Sequence, residues 1–263
     1  MAIIDVSALQ LKLATDSVIY KPKGRAGEYA ALALNLYTGC THRCLYCFSP
    51  SVQHIGRDEF NAGAVERKDL LDRLRRDAAE CQRAGVSDQI LLCFCTDAYH
   101  GGDTTLTRDA LKILSAHNLS FCVLSKGGTR ALRDIDLFRS GDAYAATLTC
   151  LDSAMAAHWE PGAPHPLDRI AALEAFHQRG IETWVSLEPA LNTEETLAIV
   201  EATHRFVDFY KVGRLNYLKC DIDWQNHTDR VVALLEQLGK RYYLKQDLVG
   251  FLPETHTSAF RIL

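Results

Sequence analysis

The sequence predicts an α/β fold in which outer helices cover a parallel sheet. Segments typical of strands alternate six times with segments typical of amphipathic helices, as expected for consecutive βα units. Residues 89–95 form a continuous apolar run, which is typical of a parallel strand covered on both faces. No linker or low-complexity tract interrupts the series. We therefore expect one domain over residues 1–263. An open or partial (βα)6 barrel fits, although periodicity does not distinguish it from a doubly wound sheet.

The individual elements follow from local patterns. The first predicted strand, 32–38, is apolar and ends in the turn residues Thr38 and Gly39. The first long helix, 64–84, has apolar residues at helical spacing and ends before Gly85. The later strands are predicted from apolar or β-branched runs at 89–95, 119–125, 143–149, 181–188 and 206–213. The later helices are predicted from the spacing of apolar residues at 107–117, 129–139, 166–178, 194–203 and 229–238.

The two ends of the chain show weaker patterns. Residues 1–30 lack clean periodicity, and we expect them to wrap one end of the core. Residues from about 214 to 263 are expected to form a C-terminal extension that closes the barrel, with one short strand over 241–246. Asn192 and Thr193 are expected to cap the helix over 194–203.

Composition narrows the class of protein. The 263 residues are 48% hydrophobic, which is enough for a sizeable core, and no run of about 18 apolar residues predicts a membrane span. There is no pattern of a secretion signal, so nine cysteines indicate reduced thiols and a metal centre rather than a disulfide framework. We expect a cytoplasmic protein without membrane contact. The net charge of −4 argues against a surface that binds nucleic acid over its whole extent.

Three of the cysteines lie on one short loop after the first strand. Cys40, Cys44 and Cys47 are spaced C-x3-C-x2-C. Three thiolates at this spacing can hold three irons of a [4Fe–4S] cluster and leave the fourth iron without a protein ligand. The alternative is structural zinc, which requires four ligands, and His42 or His54 could supply the fourth.

The cysteine run resembles the signature of radical S-adenosylmethionine (SAM) enzymes. The resemblance rests on CTHRCLYC at residues 40–47, with Tyr46 before the third cysteine. It implies a partial (βα)6 barrel, a [4Fe–4S] cluster, and SAM bound to the open iron and cleaved to a 5′-deoxyadenosyl radical. The sequence more closely resembles the spore photoproduct lyase branch and relatives called DNA repair photolyases, through KPKGRAGEY at 21–29, NLYTGC at 35–40 and EPGAP at 160–164.

The rule that barrel active sites lie on the loops after the strands selects further candidates. As residues that bind the cofactor we select Tyr46, Thr96, Asp97, Lys126, Thr147 and Glu188. The ammonium group of Lys126 suits the SAM carboxylate, because a charge-assisted hydrogen bond is stronger than a neutral one. The family resemblance implies the same contact, and it places a hydroxyl that contacts SAM at Thr147.

Cys95 is the candidate catalytic residue. It resembles the cysteine with which spore photoproduct lyase returns a hydrogen atom to the product radical. A buried cysteine that only packs in the core is the alternative. The chain departs from the lyases at Phe48, where they carry a tyrosine implied in radical transfer.

These observations predict an enzyme whose subclass, lyase or transferase/oxidoreductase, stays open. The substrate is unidentified, and nucleic acid, a small molecule and a peptide all stay open. The electron would come from an external donor such as flavodoxin or ferredoxin. Two alternatives are repair of pyrimidine lesions in DNA, as in spore photoproduct lyase, and a non-catalytic module that binds zinc.

Overall fold

An eight-stranded sheet forms the centre of the molecule in a computed structural model that describes residue 11 and residues 13–252. Its strand order is β1-β2-β5-β6-β7-β8-β9-β10. From β2 to β10 the neighbours pair in parallel, and β1 pairs antiparallel with β2 at the edge. The strands of this sheet are Ile19–Tyr20 (β1), Leu32–Leu34 (β2), Ile90–Leu92 (β5), Phe121–Ser125 (β6), Ala143–Thr147 (β7), Glu182–Leu187 (β8), Phe209–Val212 (β9) and Arg241–Leu244 (β10).

Helices connect the parallel strands and pack on the outside of the sheet. The α-helices of the described residues are Ser49–Gln53 (α1), Arg57–Asn61 (α2), Leu70–Arg83 (α3), Thr105–Ala116 (α4), Ser153–Trp159 (α5), Pro166–Gln178 (α6), Thr193–Thr203 (α7), Trp224–Gln237 (α8) and Gln246–Val249 (α9). Two 3₁₀ helices cover Gly24–Glu28 and Gly128–Leu137. The Asn192 side chain caps α7 by accepting the N–H of Glu194 at 2.8 Å, as predicted. The parallel α/β architecture of a partial barrel is confirmed.

The region after the first strand differs from the prediction. The predicted strand 32–38 is divided into β2 and a separate strand, Tyr37–Thr38 (β3). β3 pairs antiparallel with Val65–Glu66 (β4), so α3 begins at Leu70 and not at residue 64. The cause is a long-range pairing of two short segments, which outweighs the helical pattern of the second one.

The second parallel strand is shorter than predicted. β5 ends at Leu92, and the main-chain N–H groups of Phe94 and Cys95 donate to the side-chain oxygen of Asn35 at 2.7 and 2.8 Å. The side chain of Asn35 therefore accepts the hydrogen bonds that the main chain of a neighbouring strand would otherwise accept. Cys93 and Cys95 therefore lie on the loop after β5, outside the strand predicted over 89–95.

Smaller differences occur in the second half of the chain. The segment predicted as a helix over 129–139 is the second 3₁₀ helix, and α8 begins at Trp224, where the Asp223 side chain caps it, instead of at residue 229. The short strand predicted over 241–246 is present as β10 and pairs in parallel with β9, so it continues the series of strands.

The two faces of the sheet differ in what covers them. Most of the core lies between the sheet and the outer helices, whereas a smaller apolar cluster occupies the inside of the barrel. Because side chains alternate along a strand, Ala145 lies in this inner cluster and Thr147 lies on the same face nearer the strand end. The Tyr29 ring lies against Phe94 and Trp184, with centroids 5.4 and 6.2 Å apart. The segment after the first 3₁₀ helix thus fills part of the barrel interior.

Candidate active site

The three cysteines of the loop after β3 line one cavity of about 250 Å³ at the carboxyl ends of the strands. Gly39 begins this loop with a φ of +82°, and a Cβ on it would lie 2.1 Å from the carbonyl oxygen of Gly63, so only glycine fits. The guanidinium group of Arg57 donates to the carbonyl oxygens of Cys44 and Cys47 at 3.2 and 2.9 Å. The turn and these hydrogen bonds hold the thiols at the cavity.

The EPGAP segment, 160–164, packs directly on the cysteine loop. The N–H of Gly162 donates to the carbonyl oxygen of His42 at 2.9 Å, and the N–H of Leu45 donates to that of Trp159 at 2.9 Å. A Cβ on Gly162 would lie 2.1 Å from the carbonyl oxygen of Thr41. The glycine of this motif is therefore required for close contact between two backbones.

The glutamate of EPGAP, Glu160, is buried against the cysteine loop. Glu160 forms an ion pair of 2.6 Å with Arg169 of α6, and both side chains are at most 1% exposed. The carboxylate of Glu160 also accepts hydrogen bonds from the hydroxyls of Tyr46 and Thr149. Glu160 therefore links the cysteine loop to α6.

The donor groups present fit an iron–sulfur cluster. Cys44 is buried, and Cys40 and Cys47 are partly exposed at the cavity wall. The Nε2 atom of His42, which lines the same cavity, is buried without a hydrogen-bond partner among the described residues, while its Nδ1 lies 3.3 Å from Asp97. Three cysteines thus line one cavity together with a histidine whose Nε2 atom has no described partner. Within the described residues no three His, Cys, Asp or Glu side chains converge where a single ion would bind.

Burial changes the protonation of these thiols. It raises the pKa of the Cys44 thiol to about 12 and that of the Cys40 thiol well above its ordinary value, with the charge of Asp97 adding to the effect at Cys40. Binding to a metal deprotonates a thiol outright. Cluster assembly therefore releases protons from this loop.

Lys126 follows β6 and lies on the cavity wall near the cysteine loop. Its Nζ atom is 5.5 Å from the centre of the Tyr46 ring. Its main-chain N–H donates to Asp97 at 2.7 Å, and this hydrogen bond fixes the backbone of Lys126. The side chain of Lys126 lines the cavity. The geometry allows Lys126 to bind an anionic group of a ligand beside the cysteines.

Asp97, predicted to bind the cofactor, is engaged with protein groups through both oxygens. It accepts the hydroxyl of Ser125 at 2.6 Å and the N–H of Tyr99 at 2.8 Å through Oδ1, while Oδ2 faces Lys126 and His42. Burial opposes its ionisation, but His42 and these hydrogen bonds keep the pKa of Asp97 well below its ordinary range. It joins the loop after β5, the end of β6 and the cysteine loop.

Glu188 lies on the opposite side of the cavity, just after β8. Its carboxylate accepts the Tyr29 hydroxyl at 2.5 Å and the Lys245 ammonium at 2.9 Å. A Cβ on Gly213 would lie within 3.0 Å of both Glu188 and Lys245, so a larger residue there would displace these two side chains. The side chain of Thr147, at the end of β7, lines the cavity between the two sides.

Cys95 and Thr96 complete the wall formed by the loop after β5. Both line the cavity that the three loop cysteines line. The carbonyl oxygen of Cys95 accepts a hydrogen bond from the Gln53 side chain at 3.1 Å, and burial raises the pKa of its thiol. The structure thus brings every predicted site residue to one cavity, and their individual roles stay predictions.

Some cavity residues were not among the predicted site residues. Arg25 and Tyr29 come from the N-terminal segment, whose sequence shows no periodic pattern that would assign it to the barrel interior. Arg214 and Tyr217 come from the loop after β9; the strand-end rule selects Arg214, without assigning it a role, and does not select Tyr217.

Comparison with known protein families now identifies the class. The sequence profile of the Radical SAM superfamily matches residues 34–207. This range includes the cysteine loop and the strands β3 to β8. The chain belongs to the radical SAM superfamily, whose members use a [4Fe–4S] cluster and SAM.

Individual relatives are more distant. An uncharacterised protein of Mycobacterium tuberculosis is 25% identical over 169 residues, which is 60% of this chain and 49% of that protein. An uncharacterised protein of Mycobacterium bovis matches to the same extent. The chain therefore spans about half the length of the curated relatives it matches.

Similar solved structures share the fold. Spore photoproduct lyase complexed with a dinucleoside spore photoproduct matches with a TM-score of 0.63 and 13% identity, over 90% of this chain and 79% of the lyase. SuiB of Streptococcus suis, bound to SAM, matches with a TM-score of 0.64 and 12% identity, over 84% of this chain and 52% of SuiB. Within the described residues, no helix is both long and apolar enough to span a membrane.

Proposed function

We propose that the protein is a radical SAM enzyme in which Cys40, Cys44 and Cys47 bind three irons of a [4Fe–4S] cluster. The observation that carries the proposal is that these three thiols and Lys126 line one cavity at the strand ends. When bound there, the cluster and SAM would supply a 5′-deoxyadenosyl radical for abstraction of a hydrogen atom from a substrate.

The residues of the cavity have distinct roles in this proposal. The ammonium group of Lys126 binds the SAM carboxylate, because it is a cation that lines the cavity beside Tyr46 of the cysteine loop. Tyr46 and Thr147 bind the remainder of SAM from the same wall. Asp97 and Glu188 act as positioning residues, since their carboxylates already bond to protein donors.

The cavity walls also exclude water from the reactive group. The barrel interior behind the cavity is filled by Tyr29, Trp184 and Phe94, and the Tyr29 ring lies against the other two. A closed apolar floor limits the access of water and of unwanted hydrogen donors. The reduced state requires an electron from a separate donor, for which we propose a small redox protein such as flavodoxin or ferredoxin.

Substitution of one cysteine tests the ligand assignment. We expect Cys44→Ala, reconstituted with iron and sulfide under anaerobic conditions, to lose most of its cluster absorbance and its release of 5′-deoxyadenosine with a strong reductant. Cys81→Ala is the matched control, because Cys81 is a buried cysteine of α3 outside the cavity. Normal iron content and SAM cleavage in Cys44→Ala would contradict the proposal.

Lesion repair in DNA is a second candidate function. It is favoured by Cys95, a thiol that lines the proposed SAM cavity and can donate a hydrogen atom to a product radical. Incubation of the reduced, reconstituted enzyme with a dinucleoside spore photoproduct should restore its two thymine residues, and Cys95→Ala should lower that yield. SAM cleavage without any repair would exclude this candidate and leave the radical SAM proposal unaffected.

A further inference from the structure

Arg214, in the loop after β9, is a cation of the cavity wall with no acidic partner among the described residues. It lines the same cavity as the three cysteines, and no described carboxylate lies within 4 Å of its guanidinium group. Its Nε atom is buried and has no hydrogen-bond partner in the described part of the chain. A buried donor without a partner requires an explanation, since such groups are rare and costly.

Aromatic rings hold the Arg214 guanidinium group in place. It lies 4.8 Å from the ring centre of Trp224 and 5.5 Å from that of Phe251. When an arginine lies over an aromatic ring, the N–H donors at the edge of its planar guanidinium group stay available. A pair of these donors can bind two oxygens of a carboxylate or phosphate. Arg214 is therefore prepared for an anion before that anion binds.

The described acids on this side of the cavity pair with groups other than Arg214, although Oδ1 of Asp247 is buried without a hydrogen-bond partner. Glu188 bonds to Lys245, and Asp247 bonds to Asn216 at 3.2 Å and lies 3.4 Å from Arg25. Neither carboxylate satisfies Arg214. Among the described residues no carboxylate pairs with Arg214, which leaves its donors available to a ligand.

SAM does not supply this anion under the proposed function. SAM carries one carboxylate, which we assign to Lys126 after β6. Arg214 follows β9, which lies three strands further along the sheet than β6. The anion at Arg214 therefore belongs to a second molecule in the cavity.

We propose that Arg214 binds an anionic oxygen group, carboxylate or phosphate, of the substrate. This inference rests on the proposed function and names the substrate class of that same cavity. It also fits the exposed Tyr217 at the mouth, whose ring, 81% exposed, is free to cover a ligand held by Arg214. An anionic group at this end would direct the rest of the substrate toward the cysteine loop.

Binding of small anions to the full chain tests the proposal. Inorganic phosphate and succinate are titrated into the reconstituted, SAM-bound protein, with the fluorescence of Trp224 beside Arg214 as the signal and Trp224→Phe as its control. We expect saturable binding of one probe in the millimolar range, on the order of 1–10 mM. The probe that binds identifies the group as phosphate or carboxylate, and no saturable binding of either would overturn the proposal.

Two variants of Arg214 separate recognition from simple charge. Arg214→Gln should weaken probe binding about tenfold, because one charge-assisted hydrogen bond is lost. Arg214→Lys keeps the charge but not the planar pair of donors. Its affinity for the probe should lie between those of the native protein and Arg214→Gln. Arg230→Gln, which removes an exposed arginine outside the cavity, is the control.

The outcomes distinguish this inference from the proposed function. Equal probe affinity in native protein and Arg214→Gln would overturn the assignment of Arg214. A tenfold loss of SAM affinity in the same variant would also overturn it, because Arg214 would then contact SAM. Iron content and release of 5′-deoxyadenosine report on the proposed function separately, so either can fail while the other holds.

Discussion

Glu160 and Arg169 form an ion pair of 2.6 Å from which water is excluded, directly below the loop that carries the three cysteines. Arg169 also donates to the carbonyl oxygens of Pro164 and Thr147 at 2.9 and 3.1 Å. The pair therefore joins the EPGAP segment, the end of β7 and α6. The carboxylate extends the connection to the cysteine loop through the hydroxyl of Tyr46.

Removing the charge of Glu160 should be costly because Arg169 would stay buried without a counter-ion. We expect Glu160→Gln to lower the free energy of unfolding by about 3–5 kcal/mol. Anaerobic urea denaturation of the cluster-free protein measures this change. Glu194→Gln breaks the exposed pair with Arg230 and should cost less than about 1 kcal/mol. Similar losses in both variants would show that burial of the Glu160 pair is not important.

The contact between EPGAP and the cysteine loop has its own test. Gly162→Ala introduces a methyl group 2.1 Å from the carbonyl oxygen of Thr41, so the two backbones must separate. We expect a lower iron content after reconstitution and a loss of about 1–3 kcal/mol in stability. Gly56→Ala is the control, since its Cβ would meet no atom within 4 Å. Native iron content in Gly162→Ala would refute the role given to this contact.

Lys126 should contribute to SAM affinity more than to stability. We expect Lys126→Ala to raise the dissociation constant for SAM roughly 10–100-fold, which corresponds to one charge-assisted hydrogen bond of about 1.5–3 kcal/mol. Calorimetric titration of reconstituted protein measures the constant. Lys112→Ala, on the exposed face of α4, should leave it unchanged. An unaltered SAM affinity in Lys126→Ala would assign the carboxylate contact elsewhere.

The buried lysine of β9 predicts a pH dependence of stability. Burial lowers the pKa of Lys211 from 10.5 to about 8, with further effects from the charges of Cys122, Lys245 and Glu28. Below pH 8 both the native and the unfolded chain hold the proton, and the cost of the buried charge is fully present. Between pH 8 and 10.5 only the native chain loses the proton, so the native state gains stability as the pH rises.

Comparison with Lys211→Met isolates this contribution. The free energy of unfolding of the native protein, minus that of the variant, should rise by about 1.4 kcal/mol per pH unit within this window. Urea denaturation at pH 7, 8, 9 and 10 provides the values. The variant also leaves the carbonyl oxygen of Tyr29 without its donor, which shifts the difference equally at every pH. A difference that does not change with pH would contradict the lowered pKa.

Local patterns predicted the fold well wherever an element is long and periodic. β6, β7, α6 and β10 lie close to their expected ranges because apolar spacing and flanking glycines are properties of neighbouring residues. The errors have long-range causes. Val65–Glu66 forms a strand because it pairs with β3, and β5 ends early because the amide of Asn35 binds the following N–H groups. Neither partner is adjacent in sequence.

The same distinction applies to the site. Lys126, Thr147 and Cys95 were found because each follows or ends a strand, and strand ends meet at one edge of a parallel sheet. The burial of Glu160 against Arg169 could not be derived, since the position of α6 over EPGAP depends on packing. Tyr29 was missed because a segment without periodic pattern carries no signal of where it will lie.

The central claim is that the three cysteines leave one iron of the cluster free for SAM, and electron paramagnetic resonance of the reduced, reconstituted protein tests it most directly. The claim predicts a [4Fe–4S] signal, with about four irons per chain, that changes when SAM is added and that is lost in Cys44→Ala. A signal that SAM leaves unchanged, or a protein that holds zinc without iron, would contradict it.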